Sequence, residues 1–221
     1  MAQSALLKSS IAKKVAMALS GIFLMLFLAQ HFFINITSVF SPDTFNLLSH
    51  FMGNNPLVQY VIQPILIVGV IFHFIMGFVL DYKNRKARPI AYVKNNGGAN
   101  SSWFSRNMIL SGSVILAFLG LHFYDFWVPE MVYKYVEVNP LDSTRYFHEL
   151  AEKFESSVRT AIYCVSFVLL SLHLLHGFNS SMQSVGFNNK YSKALHKLGY
   201  AYAIVIPVGF IFIALFHHFN H

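Results

Sequence analysis

Four histidines lie inside long apolar stretches of the chain, where a polar ring is costly to bury. They are His31, His73, His122 and His173. An ionisable side chain at membrane depth usually has a bound partner or a function. Imidazole is also a common iron ligand, so four such rings favour cofactor binding. For each ring alone, the alternatives are a hydrogen bond to a neighbouring helix or a place in a proton path.

The composition places these histidines in a membrane protein. Of the 221 residues, 55% are apolar and only 11% are charged. We predict an all-α integral membrane bundle of five transmembrane helices, forming a single domain over residues 1–221. Each span contains about 20 residues, enough to cross the hydrocarbon core. The first span has no clear cleavage site and is expected to be retained. The spans are predicted at about 15–36, 57–80, 107–128, 158–178 and 195–219.

The net charge of +7 follows this topology and does not require a nucleic-acid partner. The N-terminus and the loops 81–106 and 179–194 share one side, which carries twelve basic residues against four on the other. The positive-inside rule therefore puts the N-terminus in the cytoplasm and the C-terminus outside. The loop 81–106 is a candidate docking surface for a cytoplasmic partner. The twelve are Lys8, Lys13, Lys14, Lys83, Arg85, Lys86, Arg88, Lys94, Arg106, Lys190, Lys193 and Lys197, and the four are Lys134, Arg145, Lys153 and Arg159.

The depths of the four histidines group them in pairs. At about 1.5 Å per residue, His31 and His122 lie roughly 23 Å above the inner boundary, and His73 and His173 roughly 10 Å above it. We call His31 and His122 the outer pair, and His73 and His173 the inner pair. Two axial imidazoles give a six-coordinate haem iron suited to electron transfer. The spacing therefore predicts two bis-histidine haems, one at each level.

Four glycines fit this arrangement. Gly77 and Gly177 each follow an inner histidine by four residues, so each removes a side chain on the same helix face. Gly21 and Gly112 each precede an outer histidine by ten residues, which puts them at the inner level. We expect all four to leave room for the porphyrins, although small residues also serve close helix packing in membranes.

His176 competes with His173 for the fourth ligand position. We favour His173 because its spacing to a glycine matches that of His73, which leaves His176 as a propionate contact or an alternative ligand. The other histidines are expected to be solvated in loops or at helix ends: His50, His148, His196, His217, His218 and His221. After Pro140, a short amphipathic outer helix is predicted from Phe147, Leu150, Ala151 and Phe154, capped by Asp142 or Ser143.

Several segments resemble one family of respiratory subunits. The run from Ser10 to Gly21 leads to His31, and Ser105-Arg-Asn-Met108 precedes Gly112 and His122, which Phe126-Trp127 follows. Together with His-x-x-x-Gly in the second and fourth spans, these segments resemble the single-chain dihaem cytochrome b subunit of succinate dehydrogenase and fumarate reductase. Some members carry a glutamate two residues before the fourth ligand, where this chain has Ser171, so a proton route through that glutamate is not expected.

The resemblance implies two haems b and a multi-pass anchor in the bacterial cytoplasmic (inner) membrane. It also implies two cytoplasmic partners, a flavoprotein subunit and an iron–sulfur subunit, which carry the succinate and fumarate chemistry. The anchor exchanges electrons with a membrane quinone, commonly menaquinone. The family's ligand positions fall on His31, His73, His122 and His173. The direction of turnover and dimerisation of the whole complex stay open.

The quinone site needs an apolar slot with a few polar groups for the carbonyl oxygens. Near the outer haem the candidates are Gln30, Gln59, Gln63, Tyr124 and Asp125. Their ordinary alternatives are bridges between helices and, for Asp125, the end of the third span. Two other functions stay open from sequence: a dihaem cytochrome b of a hydrogenase or formate dehydrogenase, and a haem-free transporter or assembly protein.

Overall fold

A computed structural model describes residues 9–86, 106–187 and 189–220, and these residues are almost entirely helical, without a strand. Five helices are long and apolar enough to cross a membrane, which confirms the all-α class and the five spans. The sides on which the termini lie stay a prediction. Most of the 81–106 docking loop, with Arg88, Lys94 and Ser105, lies outside the described residues, as do Lys8 and His221. The membrane helices are α1 (Ser10–Phe40), α3 (Val58–Lys86), α4 (Met108–Val136), α6 (Ser157–Ser184) and α7 (Ser192–Phe219).

The helix α4 runs well past its predicted end near residue 128. It continues to Val136 through two wide π-helical turns, Phe123–Trp127 and Val132–Val136. Pro129 lies just after the first of these turns and lacks the N–H that a regular α-helix would need there. The widened turns let the helix pass the proline, so Asp125 does not end the span.

Two short helices, α2 (Pro42–Asn54) and α5 (Arg145–Glu155), pack together at the end of the bundle where α1 ends. The helix α2 was not predicted, although Ser41 accepts a hydrogen bond from the Thr44 N–H and Pro42 occupies the first turn, both ordinary helix-start signals. The helix α5 is the predicted outer helix and buries Leu150 and Phe154. Its N-cap is Thr144, so the predicted caps were wrong by one or two residues.

Four of the membrane helices surround a common axis in the order α3, α1, α6, α4. The helix α1 packs against α3 and α6, and α6 packs against α4. The helices α3 and α4 approach each other least and leave an apolar cavity of about 300 Å³ between them. It is lined by Val70, Ile71, Phe74, Ile75, Leu116, Leu119, Gly120 and Phe123. The helix α7 lies outside this ring, packed against α6 and α1.

Two glycines let α7 approach its neighbours closely. A Cβ atom on Gly199 would lie 2.4 Å from Phe178 Cδ1 on α6, and one on Gly209 would lie 2.3 Å from Phe32 Cε2 on α1. Real Cβ atoms essentially never come so near another heavy atom. Small residues at these crossings therefore set the helix–helix distance.

We expect Gly209→Ala to destabilise the protein by about 1–3 kcal/mol, because the added methyl group overlaps the Phe32 ring. The measurement is the thermal unfolding midpoint in detergent. The neighbouring Val208→Ala is the control, since Val208 is 54% exposed on the lipid side. Equal midpoints for the two variants would contradict close packing at Gly209.

A buried ionic cluster joins α2, α4 and α5. The Arg145 guanidinium donates to Glu130 and to Glu149, and it lies between the rings of Tyr133 and Tyr146, about 4 Å from each centre. Burial opposes the charge on Arg145, yet the hydrogen bonds to the two glutamates hold its pKa above the ordinary value. Burial also raises the pKa of the Tyr146 hydroxyl, as does Glu130, to which that hydroxyl donates.

Gly53, at the end of α2, completes this cluster. Its carbonyl oxygen accepts hydrogen bonds from Lys134 Nζ at 2.6 Å and from the Gln59 amide. A Cβ atom on Gly53 would lie 2.5 Å from the Tyr146 hydroxyl oxygen. Glycine is therefore the residue that lets α2 reach the cluster.

The cluster predicts that Arg145→Met detaches α5. The substitution removes the hydrogen bonds of Arg145 to Glu130 and Glu149, at a cost of about 1–3 kcal/mol, although Lys134 still pairs with Glu130. Amide hydrogen exchange over Arg145–Glu155 should rise in this variant and stay unchanged in Glu152→Gln, whose side chain is exposed on the same helix. Unchanged exchange in Arg145→Met would show that apolar packing alone holds α5.

Candidate functional site

The four histidines of the outer and inner pairs, each partly buried, meet two by two across the bundle axis. The ring centres of His31 on α1 and His122 on α4 are 5.8 Å apart, and their planes cross at 85°. Those of His73 on α3 and His173 on α6 are 6.4 Å apart, with planes at 68°. These are the two pairs of the depth estimate. Each pair joins helices on opposite sides of the four-helix ring, so the rings face each other along its two diagonals.

Both separations suit a metal held between two imidazoles. Two metal–nitrogen bonds of about 2 Å, with roughly 1 Å from each nitrogen to its ring centre, put the ring centres about 6 Å apart. His122 Nδ1 is buried without a hydrogen-bond partner among the described residues. Such a ring is not explained by a hydrogen bond to a neighbouring helix. The residues present therefore fit a metal held between two imidazoles at each level, and their role as haem ligands stays a prediction.

The glycines occupy two kinds of place. Gly21 and Gly112 lie against the inner pair, since a Cβ atom on each would be 3.5 Å from His73 Cε1 and 3.8 Å from His173 Cε1, respectively. Gly77 faces Met17, whose Cε would be 3.7 Å away, and Gly177 faces open space. Gly21 and Gly112 thus lie in van der Waals contact with the inner pair, a Cβ atom on Gly21 would also lie 3.2 Å from Ser181 Oγ, and Gly177 has no neighbour within 4 Å.

Two serines beside these glycines contact the inner pair and were not predicted from the sequence. Ser20 Oγ is 3.0 Å from His73 Nδ1, and Ser111 Oγ is 3.2 Å from His173 Nδ1. The signal was present, because a Ser-Gly pair precedes His31 and His122 at the same distance in the sequence. A single sequence does not show that these pairs approach histidines on other helices.

Of the two histidines on α6, His173 is the one whose ring faces His73. His176 is half-buried and lies three residues further along the helix. His217 is buried, with Nε2 2.9 Å from the Ser38 hydroxyl, so its expected solvation was wrong. Ser171 donates to the Ala203 carbonyl oxygen at 2.7 Å and joins α6 to α7.

Asp125, one of the quinone candidates, is fully enclosed close to the outer pair. Its Oδ2 accepts a hydrogen bond from the Tyr163 hydroxyl at 2.9 Å and lies 3.2 Å from Arg159 Nε. The other carboxylate oxygen, Oδ1, is buried and has no partner among the described residues. The Tyr163 ring also contacts His122, with ring centres 6.3 Å apart. The carboxylate is therefore positioned beside His122 and is linked to the partly exposed Arg159.

The other quinone candidates do not gather around Asp125. Gln30 donates to Met52 Sδ at 3.6 Å, and Gln59 donates to the Gly53 carbonyl, so both reach the end of α2. Tyr124 is 67% exposed on the lipid-facing side of α4. Gln63 is partly buried in the first turns of α3. The structure thus separates the candidates into a group at α2, a buried carboxylate and a lipid-facing phenol.

We expect Tyr163→Phe to destabilise the protein by about 1–2 kcal/mol, because it removes a hydrogen bond to a carboxylate whose other oxygen is already unpaired. Tyr124→Phe removes the same hydroxyl from an exposed ring and should leave the thermal unfolding midpoint unchanged. If the two variants have the same thermal unfolding midpoint, the Asp125–Tyr163 hydrogen bond contributes nothing to stability.

The chain was compared with known protein families, with curated proteins and with solved structures, and no match was found. Two imidazole pairs in an apolar bundle, at two depths, are suited to hold two redox-active metal centres one above the other.

Proposed function

We propose that this chain is the dihaem cytochrome b membrane anchor of a succinate dehydrogenase/fumarate reductase complex. It would carry electrons between an iron–sulfur partner subunit and a membrane quinone. The observation that supports this most strongly is the crossing of two histidine pairs at ring separations of 5.8 and 6.4 Å. The assignment to this complex rests on the motif resemblance around Ser10–Gly21 and Ser105–Met108.

In this proposal the chain supplies ligands, insulation and a path across the bilayer. His31 and His122 would hold the outer haem, and His73 and His173 the inner one. When bound, haem supplies a one-electron iron couple whose potential the protein tunes through ligands and burial. The apolar surfaces of α3 and α4 keep water away from the inner part of the bundle. No succinate site is proposed on this chain, since that chemistry belongs to the flavoprotein.

Each end of the bundle has its own partner in this proposal. The flavoprotein and iron–sulfur subunits would dock on the basic side in the cytoplasm of a bacterial cell, near the inner pair. Menaquinone would bind near the outer pair. The group at α2, with Gln30 and Gln59, and the buried Asp125 are the alternative positions for its polar contacts.

The first test is haem content in single alanine replacements of His31, His73, His122, His173 and His176. We expect each of the first four variants to lose one of two haems, because a ligand is missing, and His176→Ala to keep both. The pairing makes a sharper prediction. His31→Ala and His122→Ala should leave the same residual haem spectrum, and His73→Ala and His173→Ala should share the other one. Haem is measured by reduced-minus-oxidised difference spectra per amount of folded protein.

Several results would contradict the proposal. A wild-type protein with no haem b band would favour a transporter or assembly protein. Copurification with a nickel or molybdenum subunit, in place of a flavin-containing one, would assign the chain to a hydrogenase or formate dehydrogenase. Haem loss on replacing His176, with haem retained on replacing His173, would make His176 the fourth ligand in place of His173. Variants that fold poorly can be checked with glycine replacements, in which added imidazole should restore the missing haem.

A further inference from the structure

We propose that Ser20 and Ser111 are positioning residues that fix the orientation and tautomer of the inner pair. The inference rests on the proposed function, because it concerns how His73 and His173 are presented to the inner haem iron. Each serine belongs to a helix that supplies the opposite, outer pair. Ser20 lies on α1 and faces α3, and Ser111 lies on α4 and faces α6.

The direction of these two hydrogen bonds follows from the serine hydroxyls. Ser20 donates its only proton to the Met17 carbonyl oxygen at 2.8 Å, and Ser111 donates to the Met108 carbonyl at 3.1 Å. A hydroxyl has one proton, and we assign it to these carbonyls because they can only accept; the same oxygen then accepts the second bond from Nδ1–H of His73 or His173. Nδ1 of each inner histidine therefore carries the proton, and Nε2 has a free lone pair. That is the tautomer needed for ligation through Nε2.

The glycine beside each serine lies against the same histidine ring. Gly21 and Gly112 lie against Cε1 of the same two rings, at 3.5 and 3.8 Å from the position of a Cβ atom. Each Ser-Gly pair thus combines an acceptor for Nδ1–H with a surface on which the imidazole edge rests. The identical arrangement on α1 and α4 forms two equivalent supports for one ligand pair.

The outer pair has no equivalent support in the part of the chain that the structure describes. His122 Nδ1 is buried without a partner. Both ring nitrogens of His31 are 3.4 Å from the side-chain amide nitrogen of Asn35. The shorter hydrogen bond of that nitrogen, at 2.8 Å, goes to the His31 carbonyl oxygen. The serines therefore act on the inner haem, and their removal should change the properties of that haem alone.

A hydrogen bond from Nδ1–H to a serine oxygen makes the imidazole a stronger electron donor to the iron. This favours the oxidised iron. Replacing the serine by alanine removes this effect. We expect the ratio of oxidised to reduced inner haem, at a fixed potential, to fall by on the order of tenfold, which corresponds to about 59 mV for a one-electron couple. The midpoint potential of the inner haem should rise, and that of the outer haem should not move.

The experiment is a spectroelectrochemical titration of the full chain, purified with its partners, for wild type, Ser20→Ala, Ser111→Ala and the double variant. Ser20→Thr and Ser111→Thr keep a hydroxyl and should restore the wild-type potential. Ser113→Ala is the matched control, because Ser113 lies on the same helix and donates only to the Ile109 carbonyl within the described residues. The His73→Ala and His31→Ala proteins identify which transition belongs to which haem.

The outcomes separate this inference from the function on which it rests. A wild-type protein without haem b overturns both. Two haems in the wild type, with both potentials unmoved in the double serine variant, overturn the role of the serines and leave the cytochrome proposal intact. Equal shifts of both haems, or an equal shift in Ser113→Ala, show a general effect on the bundle and also overturn it. A rise at the inner haem alone, reversed by threonine, supports it.

Discussion

The cost of burying imidazole among apolar helices governs the arrangement of this bundle. Each of the four rings must find a partner inside the membrane, and the structure brings them together two by two across the axis. Each pair joins two helices that are not neighbours in the ring, so the two pairs connect opposite helices along both diagonals. A four-helix ring held this way has little freedom to change the order of its helices. A group bound within each pair would contact two helices, and the two pairs together involve all four.

Packing around this centre is uneven. The helices α1, α6 and α7 make close contacts through Gly199 and Gly209, and α7 buries the fully enclosed Pro207 and Ala203. The helix α3, in contrast, has no buried residue and faces lipid and the apolar cavity next to α4. The short helices α2 and α5 close one end through the Arg145 cluster. The bundle thus combines a tightly packed side with a more open one.

Much of this could be predicted from the sequence, for identifiable reasons. Long apolar stretches give the five spans, and rise per residue puts His31 level with His122 and His73 level with His173. Helix order around the axis was not predictable, because it depends on contacts between distant segments. For that reason Ser20 and Ser111 looked like ordinary small residues. The extension of α4 to Val136 was missed because π-helical turns accommodate a proline that normally ends a helix, and burial of His217 depends on Ser38, far away in the sequence.

The exposed position of α3 ties its place in the bundle to the occupancy of the inner pair. With none of its own side chains buried, this helix is held by its contacts with α1, α2 and α4, by the hydrogen bond between Ser20 and His73, and by the ring contact of His73 with His173. A ligand bound between those rings stabilises the docked state by its own binding free energy. In the proposed function, binding of the inner haem between His73 and His173 and packing of α3 into the bundle would therefore be coupled steps of assembly.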